Sequence, residues 1–245
     1  MKTLILRISA LTLACVVLTV VSVLALTGGL DALTDPILSD EQLSVNISAP
    51  NPVIILDAGH GGEDGGASGL HDTLEKELNL QLTLRTADLL SACGYTVLLT
   101  RENDSMLGGG ESGHKKLADL KYRLDFANAH PEALLLSIHM NKFPMEYCCG
   151  IQLYFSGNNE QSLPIATALH KLIKSDLQPE NNREIKQAAS NIYLLDRVQI
   201  PAVLVECGFL SNEEESALLK EEDYQKKLSV LFLAAFSDYR SHKET

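Results

Sequence analysis

Four side chains with metal or proton chemistry stand at the ends of apolar runs. His60 lies in ILDAGHGGEDGGASG (55–69), His139 closes ALLLSIH (133–139), and Glu206 follows AVLV within AVLVEC (202–207). A carboxylate, Glu75 or Glu77, stands at the head of the helically spaced stretch 73–93. Two imidazoles and a carboxylate form a common ligand set for catalytic zinc, which keeps a fourth position open for water. A further glutamate nearby would serve as the proton carrier of a hydrolysis.

Other readings of the glycine-rich run fit less well. A nucleotide-binding P-loop requires GxxxxGK[ST], and a dinucleotide fingerprint requires GxGxxG. The string GHGGEDGG satisfies neither, and Glu63 and Asp64 would repel a phosphate. The glycines are expected instead to let the backbone approach a bound molecule closely while His60 projects from a tight turn. HExxH, the helix-borne motif of many zinc peptidases, is absent from the sequence.

The elements that must hold these residues can be read from hydrophobic patterning. Short apolar runs at 53–57, 95–100, 133–139, 150–156, 191–195 and 202–207 read as strands. Helical spacing covers 73–93, ending at Gly94, and 114–130, stopped by Pro131; further helices are expected at 161–176, after Asn212, and from 223 to 240. Strands alternating with long helices imply an α/β fold of three layers, with a mostly parallel twisted sheet of about six strands flanked by helices. In such sheets ligands collect beyond the carboxyl ends of the strands, where His60, His139 and Glu206 are placed. Periodicity does not choose between Glu75 and Glu77, because Leu74, Leu78, Leu80, Leu82 and Leu84 surround the helix too evenly.

The amino terminus is different material. Lys2 and Arg7 precede an uncharged run from Ile8 to Leu26, long enough at about 1.5 Å per residue to cross a hydrocarbon core. Asp31, Asp35, Asp40 and Glu41 follow it, so the rest of the chain is expected outside the cytoplasm. Residues 1–30 therefore read as a signal anchor or signal peptide, 31–51 as a linker, and 52–242 as the catalytic domain. A net charge of −12 with no dense basic stripe excludes broad binding to nucleic acid or anionic lipid. Of the five cysteines, at 15, 93, 148, 149 and 207, none falls in a CxxC pair, and Cys93 and Cys207 read as small buried hydrophobes.

The ensemble DAGHGGEDGGASG, EKELNL (75–80), TREND (100–104), YRLDFAN (122–128), SIHMN (137–141) and PAVLVECGFLSN (201–212) resembles the zinc-dependent N-acetylmuramoyl-L-alanine amidases of the amidase-3 family, across roughly residues 52–240. The resemblance implies zinc on His60, Glu75 and His139, with Glu206 as the catalytic acid/base. Cleavage is then expected at the amide joining N-acetylmuramic acid to the L-alanine of the peptidoglycan stem. Departures are confined to Ala58, Met140 and Cys207, none of which removes a functional group. Asn141 is a candidate substrate contact or turn stabiliser, and Arg101 and Arg123 are expected to form structural ion pairs. The bare architecture resembles the sporulation-specific branch, which prepares cortex muropeptides for muramic δ-lactam formation, and it suits an accessory protein partner. The alternatives are another zinc peptidase acting within the stem and a non-catalytic wall-binding relative.

Overall fold

The structure, a computed structural model, describes residues 52–109 and 114–243. The expected amino-terminal anchor (1–30) and the linker (31–51) lie outside these residues. Among the described residues, no helix is long and apolar enough to cross a membrane.

In chain order the elements are β1 (Val53–Ala58), α1 (Glu75–Ala92), β2 (Thr96–Leu99), α2 (Lys115–Asn128), β3 (Ala133–Asn141), β4 (Gln152–Phe155), α3 (Ser162–Leu172), β5 (Lys186–Gln187), α4 (Tyr193–Arg197), β6 (Ala202–Phe209), α5 (Glu213–Leu218) and α6 (Glu222–Lys243). The sheet order is β2-β1-β3-β6-β4-β5. β2, β1, β3 and β6 run parallel, and β4 turns antiparallel against β6. The expected three-layer, mostly parallel sheet of six strands is the observed one.

Alternation along the central strands feeds two cores. Ile54 and Leu56 of β1, Leu134, Leu136 and Ile138 of β3, and Val203 and Val205 of β6 pack under α1, α3 and α6, against Leu82, Leu169 and Phe232 among others. Ile55, Leu135, Ala202 and Leu204 face the opposite way, toward Ala127 of α2 and Leu194 and Leu195 of α4. Burial on both faces explains why these strands read as continuous apolar runs. Gly94, at φ +84°, closes α1, and the Asn212 side chain caps α5 by accepting from Glu215 N at 3.0 Å.

Two expectations are corrected. Residues 191–195 form no strand; the segment enters the one-turn helix α4, which buries Leu194 and Leu195 against the sheet, with Val198 buried just after it. So short an apolar run carries no periodicity that separates a helical turn from a strand. The sixth strand is β5, two exposed residues with no apolar signature. Cys207 is fully buried as expected, whereas Cys93 is exposed at the end of α1.

Candidate metal centre and active site

β1 ends in a tight turn that carries His60. The His60 backbone is left-handed, at φ +62°, an uncommon conformation for any residue with a Cβ. It is held from two sides. Gly61 and Asp64 exchange backbone hydrogen bonds of 2.9 and 3.1 Å, and Arg123 Nη2 donates to the His60 carbonyl at 2.7 Å. The neighbouring glycines make room for the site itself. A Cβ on Gly59 would lie 2.2 Å from the His139 ring, and one on Gly66 would lie 2.5 Å from Glu75 Oε2. The expectation that these glycines serve the approach of a bound molecule is therefore corrected: at Gly59 and Gly66 the space is filled by the site's own imidazole and carboxylate.

The helix α1 begins at Glu75, which is buried, while Glu77 is exposed. The choice left open by periodicity is made by the preceding loop, whose Ala67 N donates to Glu75 Oε2 at 2.7 Å. Glu75 Oε1 lies 2.9 Å from His139 Nδ1 and 3.2 Å from His60 Nε2, and it accepts from Met140 N at 3.2 Å. The two imidazole rings stand edge to face with centroids 5.0 Å apart. Donor atoms of His60, Glu75 and His139 all lie within 4.8 Å of one another, so the three could hold a metal ion.

Electrostatics favour a cation at this point. His60 Nδ1 sits 2.9 Å from Asp64 Oδ2 and must carry a hydrogen to bond there. In the neutral ring Nε2 is then a bare acceptor facing a second acceptor, Glu75 Oε1, across 3.2 Å. A proton or a metal ion between them removes the conflict. Burial disfavours charge on the His60 ring, but Glu75 and Asp64 outweigh it and raise its pKa. Burial also opposes charge on Glu75, and the two histidines more than reverse this, holding its carboxyl well below the usual range. Tetrahedral zinc with N/O bonds of about 2.1 Å requires donor separations of roughly 3.4 Å, near the 2.9 and 3.2 Å that separate Glu75 Oε1 from the two imidazoles.

Glu206 is the neighbour of His139 across the β3–β6 ladder. Its Oε2 is enclosed and has no hydrogen-bond partner among the described residues. Burial lifts its pKa to about 7; His139 and His60 pull it down and Glu75 pushes it up. His60, His139 and Glu206 line one cleft of about 240 Å³, walled by Lys116 and Arg123 of α2 and Tyr193 of α4.

A second buried charge cluster underlies the turn. Asp57 accepts from Arg123, from Thr100 Oγ1 at 2.7 Å and from Ser137 Oγ at 2.6 Å. Burial alone would raise its pKa, but Arg123 and the two hydroxyls hold it at about 2. Arg123 also bonds Asp119 Oδ2 at 2.7 Å, so its expected structural ion pairing is observed. Arg101 behaves differently from expectation. Its guanidinium donates to four backbone carbonyls, those of Ala58, Gly59, Lys76 and Asn103, at 2.8–3.0 Å. It clamps the β1 turn to the start of α1, with no ion pair among the described residues.

The sequence-predicted residues His60, Glu75, His139 and Glu206 are thus brought together. Asn141 is not among the residues lining the cleft; its Oδ1 accepts from Lys142 N at 2.8 Å, a turn-stabilising contact. His130 and His170 bond backbone carbonyls at 2.8 and 2.9 Å, away from the site. Asp64 and Asp57 carry site geometry that sequence patterning did not single out. Their signal was an aspartate at an apolar strand end and a second one four residues after a histidine.

Comparison with known proteins agrees with this geometry. Residues 54–237 match the N-acetylmuramoyl-L-alanine amidase family. The chain is 36% identical over 194 residues to the germination-specific N-acetylmuramoyl-L-alanine amidase of Bacillus subtilis, covering 78% of this chain and 81% of that one. Among solved structures it is similar to the CwlD amidase of Clostridioides difficile, determined in complex with the GerS lipoprotein, with 37% identity, a TM-score of 0.74, and coverage of 78% of this chain and 100% of that one. The catalytic domain of CwlV from Bacillus (Paenibacillus) polymyxa superimposes with a TM-score of 0.65 at 30% identity, over 77% of this chain and 97% of that domain. The chain therefore belongs to the N-acetylmuramoyl-L-alanine amidase family.

Proposed function

We propose that this amidase uses zinc, held by His60, Glu75 and His139, to hydrolyse the amide between the lactyl group of N-acetylmuramic acid and the L-alanine of the peptidoglycan stem. The observation that carries the mechanism is the enclosed, unpartnered Glu206 Oε2 beside the three-residue cluster. Zinc supplies Lewis-acid polarisation of an amide carbonyl and acidifies water toward neutral pH. Glu206, with its pKa lifted to about 7, takes the proton of the attacking water and returns it to the departing amine nitrogen. One group can do both, and a pKa near the working pH suits both steps. Lys116 and Tyr193 bound the space in which the stem peptide would lie.

Supporting a role in the spore cortex are the germination-specific relative and the likeness to CwlD. In that reading the product is the peptide-free muramic acid from which a δ-lactam forms. The solved relative's complex with a lipoprotein supports an accessory protein partner for this chain as well. Residues 1–30 are proposed to place the enzyme outside the cytoplasm, anchored or secreted, with 31–51 as tether and 52–242 as the catalytic unit. The test is digestion of purified peptidoglycan followed by mass spectrometry, with and without chelator. Free stem peptides beginning with L-alanine, lost on chelation, are expected. Cleavage between two amino acids of the stem would replace this reading with that of another zinc peptidase, and retention of wall without cleavage would indicate a binding protein.

A further inference from the structure

Asp64 takes no part in the chemistry proposed above, yet it is fastened into the site at every polar atom. Oδ2 lies 2.9 Å from His60 Nδ1 and 3.2 Å from Lys116 Nζ. Oδ1 accepts from Gly66 N at 3.2 Å, and the backbone of Asp64 is bridged to Gly61 in both directions. The carboxylate is therefore fixed before any ligand arrives, and its orientation is set by the loop rather than by the ring it touches.

An imidazole binds a metal through a lone pair, and the nitrogen that offers it is decided by where the other nitrogen's hydrogen is held. Here the hydrogen is held on Nδ1, which leaves the lone pair on Nε2, the atom facing Glu75 Oε1 at 3.2 Å. The left-handed backbone at His60 fixes only where the ring is attached. Rotation about the side chain would still let Nδ1 or Nε2 face the cluster, and the bond to Asp64 removes that freedom.

We propose that Asp64 is the positioning residue of this centre: it locks the His60 tautomer and ring rotation so that Nε2 faces the metal position. The assignment rests on His60 being a metal ligand. Carboxylates placed behind ligating histidines typically change metal affinity by roughly 10–100-fold when removed. Lys116 shares Oδ2 but approaches it from the exposed side of the cleft, so it balances the charge of Asp64 without directing the ring.

The test is zinc titration of the full-length chain against a chromophoric chelator, paired with ¹⁵N NMR of the histidine rings in the metal-free protein. Asp64→Ala is expected to lose roughly 10–100-fold in zinc affinity and to shift His60 toward the Nε2-protonated tautomer. Asp64→Asn keeps an acceptor for Nδ1–H, so it should retain the wild-type tautomer and lose less affinity than Asp64→Ala. Lys116→Met should leave the tautomer unchanged. An Asp64→Ala protein with unaltered zinc affinity or unaltered tautomer overturns the assignment. If that variant does not fold, Asp64→Asn decides: a switched tautomer or a loss as large as that of His60→Ala overturns it. A wild-type chain that binds no zinc overturns the metal reading and takes this assignment with it. Normal wild-type binding beside an unaffected Asp64→Ala overturns this assignment alone.

Discussion

Two clusters of buried charge sit within one turn of each other at the ends of β1 and β3, and they are finished differently. Around Asp57 both carboxylate oxygens are occupied, by Arg123, Thr100 and Ser137, and Arg123 in turn is saturated by Asp119 and the carbonyls of Ala58 and His60. Around Glu75 and Glu206 the arrangement is incomplete. Two acceptors face each other between Glu75 and His60, and Glu206 Oε2 has no partner among the described residues. Both places bury carboxylates, set among a guanidinium and two hydroxyls in one and among two imidazoles in the other. What separates these two clusters is whether the hydrogen bonds close, since an unsatisfied buried polar group costs stability.

Substitutions should divide along that line. The largest effect is expected at Glu206→Gln, which removes the proposed proton carrier and preserves shape: kcat on peptidoglycan fragments should fall by roughly 10²–10⁴-fold, with zinc content and folding unchanged. Near-normal turnover would transfer the acid/base role elsewhere. Arg123→Met attacks the finished cluster and leaves Asp57 and Asp119 uncompensated. Breaking one partner of a buried pair costs about 3–5 kcal/mol, readable as a lower urea midpoint. A cost under about 1 kcal/mol would reduce this cluster to the level of surface ion pairs.

The third effect is a pH dependence. Glu206 titrates at about 7 in the fold against an ordinary value of 4.5, so the folded state holds its proton more tightly than the unfolded state does. Its contribution to stability is complete below pH 4.5 and is lost as pH rises through about 7. The metal-free protein should lose up to about 3 kcal/mol of stability across that window. Glu206→Gln should abolish this component in denaturation curves taken at each pH, and equal slopes for the two proteins would refute it. The smallest effect belongs to Thr100→Val, which deletes one of the bonds on Asp57 and should cost about 1–2 kcal/mol while sparing zinc affinity.

The same contrast explains what was legible in the sequence. His60, His139 and Glu206 were readable because each terminates an apolar run, and a parallel sheet brings such ends to one side. Glu75 was separable from Glu77 only by family likeness, because the leucines of α1 surround the helix; in the fold the decision rests on a backbone amide, Ala67 N, far from any side-chain pattern. Asp57, Thr100 and Ser137 stood at strand ends without a role that patterning could assign, since single polar residues there look alike whether they ligate, cap or pair. Residues 191–195 misled because burial under the sheet can be met by one helical turn as well as by a strand. The two-residue β5 escaped because it buries nothing.

That last strand has a consequence for how the molecules coexist at high concentration. A sheet margin with open N–H and C=O groups is a template on which another chain can add a strand. On the β4 side the ladder ends in Lys186–Gln187, two exposed residues, one of them charged. So short a margin offers an incoming strand too few backbone bonds to hold, and the lysine adds a desolvation penalty. β5 thus acts as a stop, closing the sheet to self-association on that side while contributing almost nothing to its core.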